Sequence, residues 1–489
     1  MTSGFTSSWS FLSVFLSFIH WHHSLGHTVR IGSVKIFDSI IQGGGALPAA
    51  LSFEDSSAFR VKSLQELVRA LGVFIFCSVP ILVNNSGKLM SLARSLLGKR
   101  GFSLILRPTV YAQFVAGETE GEIAVSMEKM SSLGLCPMLA VPIEEDLGES
   151  IGFDHHINIT KHNVIQEHRY NDNLEAMLKC VRISSSNTLT TDPMMQLKIT
   201  ALLSPELCVK LTSLLSEEQY DLDLLVRAMD GELISFPGLT EHENTHFLCG
   251  LQRLNKVGEA SVMKVRVLVD AEYTYMNPAL SLVTMAMMKK FNQKEAWIWN
   301  TYQCYLKEST SLLLDAINQS NNQSFCLGVK LVRGAYMDKE RKLANQERRP
   351  DPIHQSWEHT NDSYNGSLDI MLDLISQYPQ RYRIIVATHN EESVRHVVSR
   401  LAELGIDKQA GSVCFGQLLG MCDHVSLTLA SRGYSIYKSM PYGSVDDTVP
   451  YLVRRAQENR TVLQGIRKER DLLRQELYKR LRVGLTGGR

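Results

Sequence analysis

Eight short apolar runs, separated by longer segments with the pattern of amphipathic helices, constrain the fold of this chain more than any other feature. The runs occupy residues 137–142, 196–201, 264–270, 296–303, 325–333, 383–388, 412–418 and 434–440. Short apolar runs that alternate with helical segments are typical of βα units and a parallel sheet. Eight such units predict an α/β protein, a distorted (βα)8 barrel of the TIM type.

The other segments are arranged around this predicted barrel. We expect a targeting segment at 1–35, a helical N-terminal region at 36–134, the barrel at 135–482 with a helical insertion at 203–260, and a tail at 483–489. No acidic residue precedes Asp38, and an acid-poor N-terminus is typical of a mitochondrial presequence. The apolar run at 71–83, which Pro80 interrupts, predicts a packing helix rather than a membrane contact.

The charge balance and the cysteines exclude several classes of protein. Lys and Arg together number 51, as do Asp and Glu, so no overall field favours nucleic acid as a partner. The nine cysteines stand singly, without a CxxC pair or a His/Cys cluster at metal-ligand spacing. We therefore expect reduced thiols and no metal site.

Polar residues close most of the eight runs, where a βα barrel carries its catalytic groups. They are Lys198, Asp270, Gln303, Arg333, Thr388, Gln417 and Ser439. Lys198 could form a Schiff base, act as a fixed cation beside an anion, or simply pack its stem at a strand end. Asp270 could act in chemistry or cap the next helix. The residues alone leave these alternatives open.

The segment from Lys330 to Tyr336 favours a bound cofactor. Lys330 and Arg333 supply two cations, Gly334 permits close approach, and Tyr336 adds a phenol. Cations near an acceptor ring favour its reduced, anionic form. The chain has no GxGxxG after a strand, no P-loop and no nucleophile elbow, which disfavours the usual nucleotide-binding and hydrolase classes.

Residues 450–459 predict a helix that begins at Pro450 and carries an anion clamp. Tyr451, Arg454, Arg455 and Glu458 follow the i, i+3, i+4, i+7 spacing and share one helix face. Paired guanidinium groups bind a carboxylate through parallel hydrogen bonds. Taken by itself, the arginine pattern is more often a solvated charged face, and the other motifs of the chain favour the clamp.

Several of these segments resemble the proline dehydrogenase family of flavoenzymes. The resemblance rests on residues 329–336, on Tyr442-Gly443 and on 450–459, and Lys198, the Asp270-Ala271-Glu272 triplet and 387–390 fit it as well. It covers roughly residues 100–482. It implies a barrel with non-covalent FAD at the strand ends, a small imino acid as substrate and ubiquinone as electron acceptor. It also implies peripheral association with the mitochondrial inner membrane on the matrix side.

The resemblance also implies a role for individual residues. The catalytic residues would be Lys198, Asp270 and Tyr336. The substrate-binding residues would be Lys198, Leu418, Ser439, Tyr451, Arg454, Arg455 and Glu458. The FAD-binding residues would be Asp270, Gln303, Lys330, Arg333, Gly334, Thr388 and His389. A glutamate that closes the first strand in the family corresponds to Glu144 or Glu145.

One departure from the family pattern bears on the substrate. Proline-specific members carry a tyrosine eleven residues before the first proline of the PYLxRR motif, where this chain has Ser439. A phenol there leaves no room for a hydroxyl on carbon 4 of the substrate ring, whereas serine offers both space and a hydrogen-bonding group. The sequence thus favours trans-4-hydroxy-L-proline, with L-proline as the alternative. The rivals from other classes are a lysine-dependent aldolase and a non-catalytic barrel.

Overall fold

The predicted eight-stranded barrel is confirmed by a computed structural model, which describes residues 51–143, 159–215, 220–458 and 462–486. The predicted targeting segment at 1–35, Glu144 and Glu145 lie outside the described residues. Eight parallel strands pair in chain order, and β8 closes onto β1. The strands are β1 Cys136–Ala140, β2 Met194–Leu197, β3 Arg266–Val269, β4 Ile298–Gln303, β5 Leu327–Val332, β6 Tyr382–Ala387, β7 Val413–Leu418 and β8 Ile436–Pro441.

Helices surround the barrel and precede it. Before β1 come α1 Leu64–Cys77, α2 Pro80–Asn84, α3 Ser86–Leu106 and α4 Glu120–Ser132. After β1 and β2 come α5 Ile159–Ser186 and then, within the predicted insertion, α6 Pro205–Leu214, α7 Leu222–Met229 and α8 Glu241–Gly258. The remaining helices are α9 Asn277–Phe291, α10 Ser309–Gln323, α11 Met337–Gln346, α12 Trp357–Gln377, α13 Glu391–Glu403, α14 Asp423–Ser431, α15 Val445–Glu458 and α16 Val462–Thr486.

Alternate residues of each strand face the inside of the barrel, as the period of two requires. Met138, Met194, Trp299, Ile385 and Tyr437 form one buried cluster on the inner face. Their strand neighbours belong to the larger core between the strands and the surrounding helices. The same alternation puts Gln196, Lys330 and Ser439 on the inner face, one step closer to the C-terminal mouth of the barrel.

Ion pairs close the opposite end of the barrel. Arg266, which is almost fully buried, lies 2.6 Å from Asp192 and 3.2 Å from Glu295. The hydroxyl of Tyr437 donates to the carbonyl of Asp192 at 2.7 Å. Because these charges are paired, their burial is tolerated, and the barrel opens to ligands from the C-terminal mouth.

The second predicted strand is too long. The structure ends β2 at Leu197, and Ile199–Ala201 forms a 3-10 turn. The hydroxyl and amide of Thr200 donate to the carboxylate of Glu272, at 2.7 and 3.4 Å, instead of joining the sheet. Lys198 therefore stands just after the strand rather than within it.

The prediction that a helix begins at Pro450 is also wrong, because α15 begins at Val445 and contains Pro450. Ser444 explains the earlier start: its Oγ accepts from the backbone N–H of Asp447 at 3.3 Å and donates to the Asp447 carboxylate at 2.6 Å. This is the bonding pattern of a helix N-cap. The final helix likewise extends past residue 482, where the tail was predicted to follow, and ends at Thr486.

The two ends of the described chain pack together. Helix α16 packs on α1, with Leu472 and Leu473 buried, and Arg480 donates to the carbonyls of Phe59 and Lys62. The predicted packing helix within residues 71–83 is present as the C-terminal part of α1, followed by α2. No helix in the described part of the chain has the length and apolar character needed to cross a membrane.

We expect Gly328→Ala to destabilise the barrel. A Cβ at this position would lie 2.4 Å from Cγ of Trp299, a fully buried ring whose N–H donates to the Ala296 carbonyl. The forced displacement should cost about 1–3 kcal/mol of the free energy of unfolding. Gly366→Ala is the matched control: Gly366 is exposed in α12 with open space around it, so alanine should stabilise by up to about 1 kcal/mol. If the melting temperature shifted equally in both variants, the close contact between Gly328 and Trp299 would be contradicted.

Candidate active site

Most of the strand-end residues predicted from the sequence lie at the C-terminal mouth of the barrel, whereas the side chain of Gln417 faces outwards and accepts from Ser426 of α14. This follows from closure, because all eight parallel strands end on the same side. Around the mouth, in strand order, are Lys198, Asp270, Gln303, Lys330, Thr388 with His389, Leu418 and Ser439. The mouth therefore brings together cations, a carboxylate, an amide and hydroxyls from the ends of different strands.

An ion pair between Lys330 and Asp270 lies at the centre of this group. Lys330 Nζ is 2.6 Å from Asp270 Oδ1, and Lys330 is only 7% exposed. The backbone N–H of Asp270 donates to the carbonyl of Leu197, which fixes the carboxylate between β2 and β4. An ammonium group has three donors, and among the described residues Asp270 is the only hydrogen-bond partner of Lys330. Two nearly buried donors of Lys330 thus remain available to a ligand.

A set of amides and a second carboxylate supports this pair. Gln303 donates to the backbone carbonyl of Glu272 at 3.2 Å and accepts from the side chain of Asn277 at 3.2 Å. Glu272 is 1% exposed and accepts from Thr200. From the sequence, Glu272 was recognised only as part of the Asp270-Ala271-Glu272 triplet. Glu272 lies two residues after Asp270, just beyond the end of β3. This position could have indicated that Glu272 forms hydrogen bonds to residues at the ends of β2 and β4.

Arg333 lies on the outer side of the mouth, against α12 and α13. Its guanidinium donates to Thr388 at 3.3 Å, to Ser393 at 2.8 Å and to Asn361 at 2.5 Å. The rings of Trp357 and Tyr364 lie 5.0 and 4.8 Å from its Cζ. Because three of its five donors bind protein groups, Arg333 is held rigidly in place.

Gly334 is required by close packing. Its φ of +144° is in the region that favours glycine, and a Cβ would lie 1.8 Å from the ring of Tyr305. The chain can therefore turn sharply from β5 towards α11. Tyr336, at the start of that helix, is buried, and its ring centroid lies 4.3 Å from that of Tyr273.

His389 is neutral and has one donor to offer. Its Nε2 accepts from the backbone N–H of Leu418 at 3.1 Å, so the ring proton is on Nδ1. Burial, together with the nearby Lys438 ammonium, lowers the pKa of His389 to about 3. His389 thus bridges the ends of β6 and β7, and its Nδ1 donor is left without a partner among the described residues.

Ser439 is held by a residue that the sequence reasoning missed. Its hydroxyl donates to Gln196 Oε1 at 2.6 Å, and Ser439 is 4% exposed. The two side chains reach each other across β1, whose Met138 pairs with Ser439 in register. Gln196 precedes Lys198 by two residues, so the period of two along β2 could have placed both on the inner face.

The residues of the predicted clamp follow β8 on α15. Tyr451 is half-buried. Arg454, Arg455 and Glu458 follow in the same helix, and their side chains lie outside the part of the chain whose side chains the structure describes. Helix α15 packs on α3 through a cluster that includes Val449 and Leu452.

We expect His389 to make the protein less stable in mild acid. Its folded-state pKa of about 3 lies below the ordinary value of 6.5, so the unfolded chain binds a proton first as the pH falls. Stability is therefore lost as the pH falls from 6.5 towards 3, by about 2 kcal/mol at pH 5. His389→Gln, which keeps an acceptor for Leu418, should reduce the drop in melting temperature between pH 7.5 and pH 5. The exposed His359→Gln should not, and equal drops in both variants would contradict the assignment.

Comparisons with known proteins identify the family of the chain. A family model described as proline dehydrogenase matches residues 145–468. Hydroxyproline dehydrogenase of Xenopus laevis is 56% identical, over 94% of this chain and 98% of that protein. The Homo sapiens protein of the same name is 44% identical, over 89% of this chain and 94% of its own length. Proline dehydrogenase 1, mitochondrial, of Homo sapiens is 29% identical over 91% of this chain and 93% of that protein.

A solved structure supports the fold. The proline utilization A protein of Bdellovibrio bacteriovorus matches with a TM-score of 0.56 at 19% identity, over 82% of this chain. This chain spans 37% of that structure's length. The resemblance drawn from the motifs is confirmed by the family model and the relatives, and the chain belongs to the proline dehydrogenase family of oxidoreductases.

Proposed function

We propose that this protein oxidises trans-4-hydroxy-L-proline to 1-pyrroline-3-hydroxy-5-carboxylate with FAD as cofactor and passes the electrons to ubiquinone. The observation that carries the choice of substrate is the serine at the mouth of the barrel, where Ser439 is hydrogen-bonded to Gln196. The names of the relatives in Xenopus laevis and Homo sapiens support the same choice. The alternative is an L-proline dehydrogenase. The human relative that is 29% identical carries the name proline dehydrogenase.

Ser439 suits a hydroxylated ring in two ways. Serine leaves space that a tyrosine would fill, and its oxygen keeps lone pairs after its proton is donated to Gln196. A hydroxyl on carbon 4 of the substrate can therefore donate to Ser439 Oγ. Because the Ser439 hydroxyl donates its proton to Gln196, the Ser439 oxygen acts as the acceptor for the substrate hydroxyl.

The rest of the substrate would be held by the clamp and the walls of the mouth. Arg454 and Arg455 of α15 bind the carboxylate as planar, permanent cations, and Lys198, just after β2, adds a third positive charge. Leu418 supplies an apolar wall at the end of β7. Three further residues orient the substrate ring: Tyr336, Tyr451 and Glu458. Anchoring the carboxylate at one end determines which ring carbon faces the cofactor.

The donors at the mouth fit a flavin. Lys330 has two donors, and His389 has one, without partners among the described residues, and a flavin ring is rich in acceptor atoms. Gln303, Thr388, Arg333 and Gly334 complete the set of binding residues. FAD supplies, when bound, a two-electron acceptor for the hydride of the ring carbon next to the nitrogen. Asp270 holds the Lys330 ammonium in place, and a cation at this point favours an electron-rich acceptor beside it.

We place the protein in the mitochondrial matrix, associated peripherally with the inner membrane, where ubiquinone is dissolved. The acid-poor N-terminal 35 residues support import, and several family relatives carry "mitochondrial" in their names. The same proposal divides the chain into a targeting segment at 1–35, a helical region at 36–134, the FAD-binding barrel at 135–482 with its helical insertion, and a tail from 483 whose first residues continue α16.

The first test is the purified protein itself. We expect a yellow protein with a flavin absorption spectrum and a higher kcat/KM for trans-4-hydroxy-L-proline than for L-proline, with a soluble ubiquinone analogue as acceptor. A yellow protein that prefers L-proline would retain the family and reject the argument from Ser439. A folded, colourless and inactive protein would overturn the proposal.

We expect Ser439→Tyr to reverse the preference. The phenol would occupy the space of the carbon 4 hydroxyl, and the ratio of kcat/KM values should shift towards L-proline by roughly 10- to 100-fold. Ser439→Ala is the matched control, because it keeps the space and removes only the acceptor, so it should shift the ratio less. If Ser439→Tyr retained the wild-type ratio, this position would not contact the ring.

A further inference from the structure

Helix α14 begins without a cap of its own. Its first residue is Asp423, and the residue before it, Cys422, has a φ of +57° and makes no side-chain hydrogen bond to the helix. Both residues are buried. The N–H groups at the start of a helix have no acceptor within the helix and need one from elsewhere. A buried helix start of this kind therefore depends on another part of the chain.

Glu469 of helix α16 supplies the missing acceptors. One of its carboxylate oxygens accepts from the backbone N–H of Cys422 at 2.7 Å, and the other accepts from the N–H of Asp423 at 2.8 Å. Glu469 is only 3% exposed. A carboxylate suits this place, because the N-terminus of a helix carries a partial positive charge. Glu469 thus joins α16 to the start of α14 through two buried hydrogen bonds.

The loop that Glu469 holds leads directly from the mouth of the barrel. Leu418, the predicted apolar wall for the substrate, is the last residue of β7, and α14 begins at Asp423. On its other side the loop is held by Gln113, whose amide donates to the carbonyl of Gly420 at 2.9 Å. The loop is therefore bonded at its middle and at its far end. Glu469 supplies the far end and so helps to fix the position of Leu418.

Helix α16 also continues the chain from the helix of the predicted clamp. Helix α15, to which Arg454 and Arg455 belong, ends at Glu458, and α16 begins at Val462. Glu469 lies in the third turn of α16, roughly 10 Å along the helix from its start. The three residues between the helices can span only about 14 Å. A helix fixed at Glu469 therefore limits how far the C-terminal end of α15 can move.

A second contact holds α16 in the same place. Lys468, the neighbour of Glu469, lies 2.7 Å from Glu391 in the first turn of α13. Glu391 in turn lies 3.0 Å from His424 in the first turn of α14. Because α13 follows β6 and α14 follows β7, this part of α16 is attached to the helices that leave two neighbouring strands of the barrel.

We propose that Glu469 is a positioning residue for substrate binding, an inference that rests on the proposed function. By capping α14, Glu469 connects the clamp helix α15, through α16, to the end of β7 that carries Leu418. The arginine clamp and the apolar wall then keep a fixed separation, although Glu469 acts only through α14 and α16. A ring held between an anchor and a wall at a fixed separation presents one carbon to the cofactor.

Steady-state kinetics of the purified full-length holoenzyme tests this role. Glu469→Gln keeps one acceptor oxygen and replaces the other with an NH2 group, which cannot accept from a backbone N–H. We expect the KM for trans-4-hydroxy-L-proline to rise roughly 5- to 20-fold while kcat changes less than about threefold. The reason is that a misplaced clamp weakens the binding of substrate and transition state alike.

Glu476→Gln is the matched control on the same helix. Glu476 is also 3% exposed, but it pairs with Arg480 of α16 itself, at 3.0 Å. This substitution should lower the melting temperature about as much as Glu469→Gln does, and should leave KM within about twofold of the wild-type value. An unchanged KM in Glu469→Gln would overturn the proposal. Equal rises in KM in the two variants would overturn it as well, since they would reflect a general loosening of α16.

Hydrogen exchange separates this proposal from the proposed function. Measured without substrate, the backbone amides of α14 and α15 should exchange faster in Glu469→Gln than in Glu476→Gln. If the wild type oxidises no imino acid, the proposed function fails, whereas faster exchange in both helices would still support the connection through Glu469. Exchange in α15 that is the same in both variants would overturn that connection.

Discussion

Closure of a ring of parallel strands is the constraint on which the rest of this structure depends. Because each strand pairs with two neighbours, its side chains alternate strictly between the inside of the barrel and the surrounding helices. The inner face then changes along the axis, from the Arg266 ion pairs through the buried Trp299 to Lys330 and Ser439 at the mouth. A shift of one residue in β8 would exchange Ser439 with Lys438 and destroy the site.

Lys438 and Lys330 show how the fold treats buried cations on its two faces. Lys438 faces outwards, where its ammonium lies 2.8 Å from Asp423 and donates to Ser426 and to the carbonyl of Met421. Burial alone would raise the pKa of Asp423, but Lys438 and Lys62 hold it well below its usual range. This outer network is saturated and therefore structural. Lys330 has a single described partner, so the inner face keeps donors for a ligand.

The barrel could be predicted from the sequence because strands buried on both faces appear as continuous apolar runs. The ends of the elements were less predictable, since side chains decide them: Thr200 binds Glu272 and stops β2, and Ser444 caps α15 ahead of Pro450. Gln196 was missed because its importance depends on Ser439, which lies far away in sequence and two strands away in the barrel. Pairings across the barrel need the closed sheet before they can be recognised.

The hydrogen bond between Ser439 and Gln196 also limits how selective the site can be. A site rejects an unhydroxylated substrate strongly when that substrate leaves a buried polar group unpaired. Here the serine hydroxyl is already satisfied by Gln196, so a proline ring would leave no donor without a partner. Selectivity then comes only from the added hydrogen bond of the hydroxylated ring, about 0.5–1.5 kcal/mol for a neutral pair. Serine at this position therefore admits hydroxyproline more effectively than it excludes proline.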